Sequence, residues 1–150
     1  MTTIKRTSSQ DLDFQNLVQL LDRDLAIRDG DDHAFYAQYN GIDAIQHALV
    51  YYHNKQAVGC GAFKVFDTNA VEIKRMFVLP QFRSKRIGAS MLKELEIWAA
   101  EMNYLECVLE TGKKNPEALH LYEKEGYKII PNYGQYKNIS DSICMTKRIK

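Results

Sequence analysis

The stretch Pro80-Gln81-Phe82-Arg83-Ser84-Lys85-Arg86-Ile87-Gly88-Ala89-Ser90-Met91-Leu92 separates two segments of different periodicity. Before it, Val71–Val78 is a run rich in β-branched residues and is predicted as a strand. After it, Ile87, Met91, Leu92, Leu95, Trp98, Ala99 and Met102 recur on one helical face, while Lys93, Glu94, Glu96 and Glu101 lie largely away from it. Asn103 is the expected left-handed terminator. From Ile73 to Lys93 the chain carries Lys74, Arg75, Arg83, Lys85, Arg86 and Lys93 and no acid. A helix N-terminus offers unpaired N–H groups and a partial positive charge. Guanidinium groups added there make a site for phosphate or pyrophosphate. A solvated basic loop explains the same charges, and charge by itself does not choose between the two.

Working outward, Asp67-Thr68-Asn69 reads as a turn and Ala57–Phe66 as the strand before it. Gly59 and Gly61 in that strand mark a bulge or a close approach. His53-Asn54-Lys55-Gln56 is a hairpin turn joining it to a strand over 47–53. Residues 29–45 read as a loop with a short helix, Ala34–Tyr39. Leu12, Leu17, Leu20, Leu21 and Leu25 recur near helical spacing, with Ser8, Ser9 or Asp11 available as N-cap. Thr2 to Arg6 is a short strand. Downstream, Leu105, Cys107 and Leu109 alternate with Glu106, Val108 and Glu110, as in a strand with one better-buried face. Asn115 before Pro116 is a helix start, and Gly126 is its stop. A last strand is expected over Ser142–Ile149. The order β α (α) β β β α β α β implies an α/β fold, one mixed sheet with helices packed on it.

The 150 residues suit a single domain. Lys and Arg total 20 against 19 acids, a net charge of +1, which argues against a dedicated nucleic-acid or membrane-surface binder. The longest unbroken apolar run, Ala48-Leu49-Val50-Tyr51-Tyr52, is far short of a membrane span. No apolar signal core follows the basic pair near the N-terminus. Cys60, Cys107 and Cys144 are odd in number and widely spaced, which favours packed, reduced thiols and a cytoplasmic location. His33, His47, His53 and His120 lack metal-ligand spacing, so no metal is expected.

The Pro80–Leu92 loop resembles the acetyl-CoA signature of the GCN5-related N-acetyltransferase (GNAT) family, [QR]-x-x-G-x-[GA] between a strand and a helix. Glu72-Ile73-Lys74-Arg75-Met76-Phe77-Val78 resembles the family's central strand. Asn115-Pro116-Glu117-Ala118-Leu119-His120-Leu121-Tyr122-Glu123-Lys124-Glu125-Gly126-Tyr127 resembles its second cofactor-contacting helix, N-x-x-A-x-x-x-Y-x-x-x-G-[FY]. Residues Ile130 to Tyr136 and Ser142 to Met145 are similar to a bacterial subgroup of largely unassigned substrate. The resemblance implies a mixed, mostly antiparallel sheet flanked by helices. It also implies acetyl transfer from acetyl-CoA to a primary amine of a small molecule or peptide, without a covalent enzyme intermediate. A non-catalytic acyl-CoA-binding domain on the same fold is the alternative. Exposed C-terminal strands in such folds suit a homodimer.

By the same resemblance, acetyl-CoA is expected to lie on Met76, Phe77, Val78, Arg83, Ser84, Lys85, Arg86, Ile87, Gly88, Ala89, Ser90, Asn115 and Tyr122. Arg86 stands where the pattern has its first glycine; Gly88 keeps the second. Arg86 must therefore take an ordinary φ or accept strain. Tyr122 holds the position of the family's tyrosine acid, and a phenol can give a proton to the departing thiolate. The same side chain reads as a core aromatic, sharing a helix face with Leu119. Glu72 is expected to take the amine's proton through water, with Glu110 second; pairing with Lys74, Arg75 or another nearby cation explains either carboxylate equally well. A backbone N–H near Phe77–Val78 is expected to polarise the thioester carbonyl. Asn115 is also explained as an N-cap. For the acceptor, Asp22–Asp32 holds five acids against two arginines, and Tyr36, Tyr39, Tyr133 and Tyr136 are candidate pocket residues. Each reads as well as a solvated face or packed tyrosines.

Overall fold

Asp11 opens the first helix because its carboxylate accepts the Phe14 N–H at 3.0 Å, taking up one of the unpaired donors of the first turn. A computed structural model describes residues 1–30 and 45–150 of the chain; the expected Ala34–Tyr39 helix, His33, Tyr36 and Tyr39 lie outside them. The described elements are β1 (Thr2–Thr7), α1 (Leu12–Asp29), β2 (His47–His53), β3 (Gln56–Val65), β4 (Ala70–Val78), α2 (Ile87–Glu101), β5 (Glu106–Gly112), α3 (Pro116–Lys124), β6 (Lys128–Ile130) and β7 (Ser142–Arg148), with 3-10 turns at Pro80–Phe82 and Gly134–Tyr136. The strands form one mixed sheet in the order β1-β2-β3-β4-β5-β7-β6. β4 and β5 run parallel, whereas β1–β2, β2–β3, β5–β7 and β6–β7 are antiparallel. β6 was not expected from the sequence. Its three residues, Lys128, Ile129 and Ile130, are too few to show a periodicity.

The chain forms two compact units, Met1–Lys64 with Lys74–Leu95, and Val65–Ile73 with Glu96–Lys150. In the first, Phe14, Leu17, Val18 and Leu21 of α1 share a buried cluster with Ala48 and Val50 of β2, Cys60 and Ala62 of β3, and Phe77 of β4. Leu12 and Leu20 of the expected stripe are instead exposed. The β2–β3 hairpin turns on Asn54 and Lys55, both at positive φ, 48° and 70°, the backbone of a tight two-residue turn. The register slips between Tyr51 and Tyr52, a bulge beside Gly59. Gly61 is a close approach as well: a Cβ there would lie 2.6 Å from Met76 Sδ. Within β4, Arg75 takes φ 60°, an irregularity in the strand, and its carbonyl accepts from Cys60 Sγ at 3.4 Å.

In the second unit, the Asp67 carboxylate accepts the N–H groups of Asn69 and Ala70, each at 2.8 Å, and so closes the turn into β4. Ala70–Glu72 pairs with Glu106–Val108. β5, a central strand between β4 and β7, buries Val108 on one face as well as Cys107 and Leu109 on the other, so the expected one-faced alternation is lost in mid-strand. Asn103 takes φ 71° after α2, and Gly126 takes φ 99° after α3. The buried Glu96 carboxylate accepts Tyr127 Oη at 3.0 Å and Lys147 Nζ at 2.9 Å. Among the described residues, no helix is long and apolar enough to cross a membrane.

Candidate active site

The first unit holds the basic loop. Arg83, Ser84, Lys85 and Arg86 are all exposed between the 3-10 turn and α2. The Arg83 guanidinium lies 5.6 Å from the Phe77 ring, and its Nε donates to the Val78 carbonyl at 2.9 Å. Lys85 lies 5.7 Å from the Phe82 ring. Ser84 and Arg86 take φ of 65° and 63°. Arg86 has thus taken the second of the two options open to it, the left-handed backbone, which costs an L-residue roughly 1–2 kcal/mol. Ser90 Oγ donates to the Arg86 carbonyl at 3.0 Å, a bond back across the first turn of α2. Phe77, Ile87 and Ala89 are buried, and Met76, Val78 and Gly88 are half-buried. From this set a ligand would meet backbone at 87–89 and cationic side chains at 83, 85 and 86. That combination fits a polyanion such as the phosphates of coenzyme A.

Arg75 and Lys74 are buried in β4, unlike the exposed cations of the loop. The Arg75 side chain pairs with Asp22 of α1. Asp24 pairs with Arg28 at 3.0 Å. Two acids of the Asp22–Asp32 run are therefore matched by arginine within their own unit, and Asp31 and Asp32 lie outside the described residues.

The second unit gathers the candidate acid and base residues. Glu72 is 4% exposed and accepts a hydrogen bond from Tyr133 Oη at 2.8 Å. The cation pairing considered for it is replaced by a neutral donor. Tyr133 meets Phe66 edge to face at 4.8 Å and Tyr136 at 6.0 Å. Glu110 of β5 stands in register with Cys144 of β7. Tyr122 is buried in α3 and packs edge to face on Tyr127 at 5.8 Å, so it is a packed aromatic in addition to any chemical role. Burial, and after it the charge of Glu110, push its phenol well above the usual range. It therefore holds its proton at any physiological pH. Asn115 caps α3 by accepting the Ala118 N–H at 3.3 Å. His47 stacks on Phe63 at 4.9 Å and His53 lies against Phe82, which gives both a packing role. Cys60, Cys107 and Cys144 are buried and unbridged. Among the described residues no group of His, Cys, Asp and Glu is arranged to hold a metal ion. The bond between Tyr133 and Glu72 spans 61 residues, and no local pattern announces it.

The family model for GNAT acetyltransferases matches residues 14–127, and the chain belongs to this family. An IAA acetyltransferase of Azospirillum brasilense is 36% identical over 92 residues, which is 60% of this chain and 60% of that relative's own length. A solved structure from Klebsiella pneumoniae, assigned to the acyl-CoA N-acyltransferases, superposes with a TM-score of 0.82 at 28% identity, covering 100% of this chain and 99% of the other. A GNAT family acetyltransferase of Elizabethkingia anophelis with acetyl-CoA bound shares the fold, with a TM-score of 0.69 at 21% identity over 98% of this chain and 97% of that one.

Proposed function

We propose that the chain is an acetyl-CoA-dependent N-acetyltransferase that moves the acetyl group to a primary amine of a small molecule or peptide by direct attack. The observation that carries this reading is the exposed trio Arg83, Lys85 and Arg86 at the start of α2, in a chain of this family. Acetyl-CoA supplies the acetyl group as a thioester, its phosphates held by that trio and by the backbone of Ile87, Gly88 and Ala89. Three tasks remain for the protein. Glu72 takes a proton from the acceptor's ammonium through water, which frees the nitrogen lone pair. A backbone N–H near Phe77–Val78 donates to the thioester oxygen as negative charge grows there. Tyr122 gives its proton to the departing thiolate.

Tyr122→Phe keeps the packing on Tyr127 and removes that proton. Thiol release from acetyl-CoA with a panel of amines is expected to fall about a hundredfold in kcat, with little change in KM for acetyl-CoA. Unchanged turnover at saturating substrate removes the role. Absence of release with every amine, alongside retained acetyl-CoA binding, favours the non-catalytic binding domain instead.

A further inference from the structure

We propose that Tyr133 is a positioning residue for proton removal, its phenol fixing the Glu72 carboxylate in the orientation from which it takes the acceptor's proton. The inference rests on Glu72 being the base. A carboxylate as buried as Glu72 needs donors to offset the water it has lost. Tyr133 Oη supplies one to Oε2 at 2.8 Å, leaving Oε1 as the oxygen that receives the proton. In that step the ammonium N–H passes its proton to water, the water passes one to Oε1, and Tyr133 keeps its own.

The donor is itself held from several sides. Phe66 meets its ring edge to face at 4.8 Å. Tyr136, 2% exposed, meets it from the following 3-10 turn at 6.0 Å. The preceding residue, Asn132, donates through Nδ2 to the carbonyls of Ile139 at 3.0 Å and Ser142 at 2.9 Å, which pins the segment. Burial, then the Glu72 charge, push the Tyr133 phenol well above its ordinary range. It therefore stays a donor throughout the working pH range. Packing on Phe66 needs the ring alone; the hydroxyl is required for the carboxylate.

The test compares wild type, Tyr133→Phe, Glu72→Gln and the double variant. Thiol release from acetyl-CoA is measured with spermidine, tyramine, L-lysine and a tripeptide with a free amino terminus, beside crystal structures of wild type and Tyr133→Phe. Tyr133→Phe is expected to lower kcat about tenfold, to leave KM for acetyl-CoA unchanged, and to cost nothing further in the Glu72→Gln background. In its crystal structure the Glu72 carboxylate is expected to leave its wild-type orientation. A carboxylate that stays in place in Tyr133→Phe overturns the inference whichever amine is used. Loss of turnover in Glu72→Gln with Tyr133→Phe unimpaired, or losses that multiply in the double variant, overturns the role of Tyr133 alone. Undiminished turnover in Glu72→Gln overturns the reading of Glu72 as base, and the role of Tyr133 with it.

Discussion

Arg86 stands where the family pattern has glycine, and its φ of 63° is a backbone that glycine adopts without steric penalty. Replacing it by glycine and by alanine removes the same guanidinium, so the stability difference between the two variants isolates the backbone. Arg86→Gly is expected to exceed Arg86→Ala by about 1 kcal/mol in urea unfolding. Both are expected to bind acetyl-CoA more weakly than wild type by titration calorimetry, because the loop loses one of its three exposed cations. Undiminished affinity in both variants removes the side chain from the phosphate site. Arg75 shows the opposite case. Read from the sequence it belongs to the Lys74–Lys93 run of cations, but its buried guanidinium is matched by the half-exposed carboxylate of Asp22.

The strands β3 and β4 depend on an absence of side chain at Gly61. A methyl there would meet Met76 Sδ at 2.6 Å and Leu95 Cδ1 at 3.2 Å, so Gly61→Ala is expected to cost about 1 kcal/mol. Most of that cost should disappear in a Met76→Ala background, measured by chemical denaturation. Elements with strong local signals were legible in the sequence: the apolar face of α2 (except that Met102 is exposed past its end and Glu96, expected to face away, is buried), the Asn115-Pro116 start of α3, the Asn54-Lys55 hairpin and the left-handed stop at Asn103 each sit within a few residues of their cause. The basic loop was legible for the same reason. What escaped reading depends on distant partners. β6 exists as a strand through its pairing with β7, Val108 is buried although it lies on the sheet face opposite Cys107 and Leu109, and the Tyr133–Glu72 bond joins positions with no shared local pattern.

Across the whole molecule, protons held by buried thiols and phenols tie stability to alkaline pH. Burial pushes Cys60 and Cys107 up to about 12 and Cys144 up to about 11, from an ordinary 9.0. Burial likewise raises Tyr122, Tyr127, Tyr133 and Tyr136. The unfolded chain releases these protons first, so the folded state binds more of them and stability falls as pH rises. Stability is expected to be fully present below about pH 9 and to decline above it, by about 1.4 kcal/mol per pH unit for each group ionised in the unfolded state alone. Urea midpoints measured from about pH 8 to about pH 10.5 check this. The same three cysteines, each at 0% exposure, also simplify the chemistry of assay. A disulfide reagent such as dithionitrobenzoate finds no accessible sulfur on the native protein, so the colour it develops counts coenzyme A released by turnover, and slow extra colour reports molecules that have come unfolded.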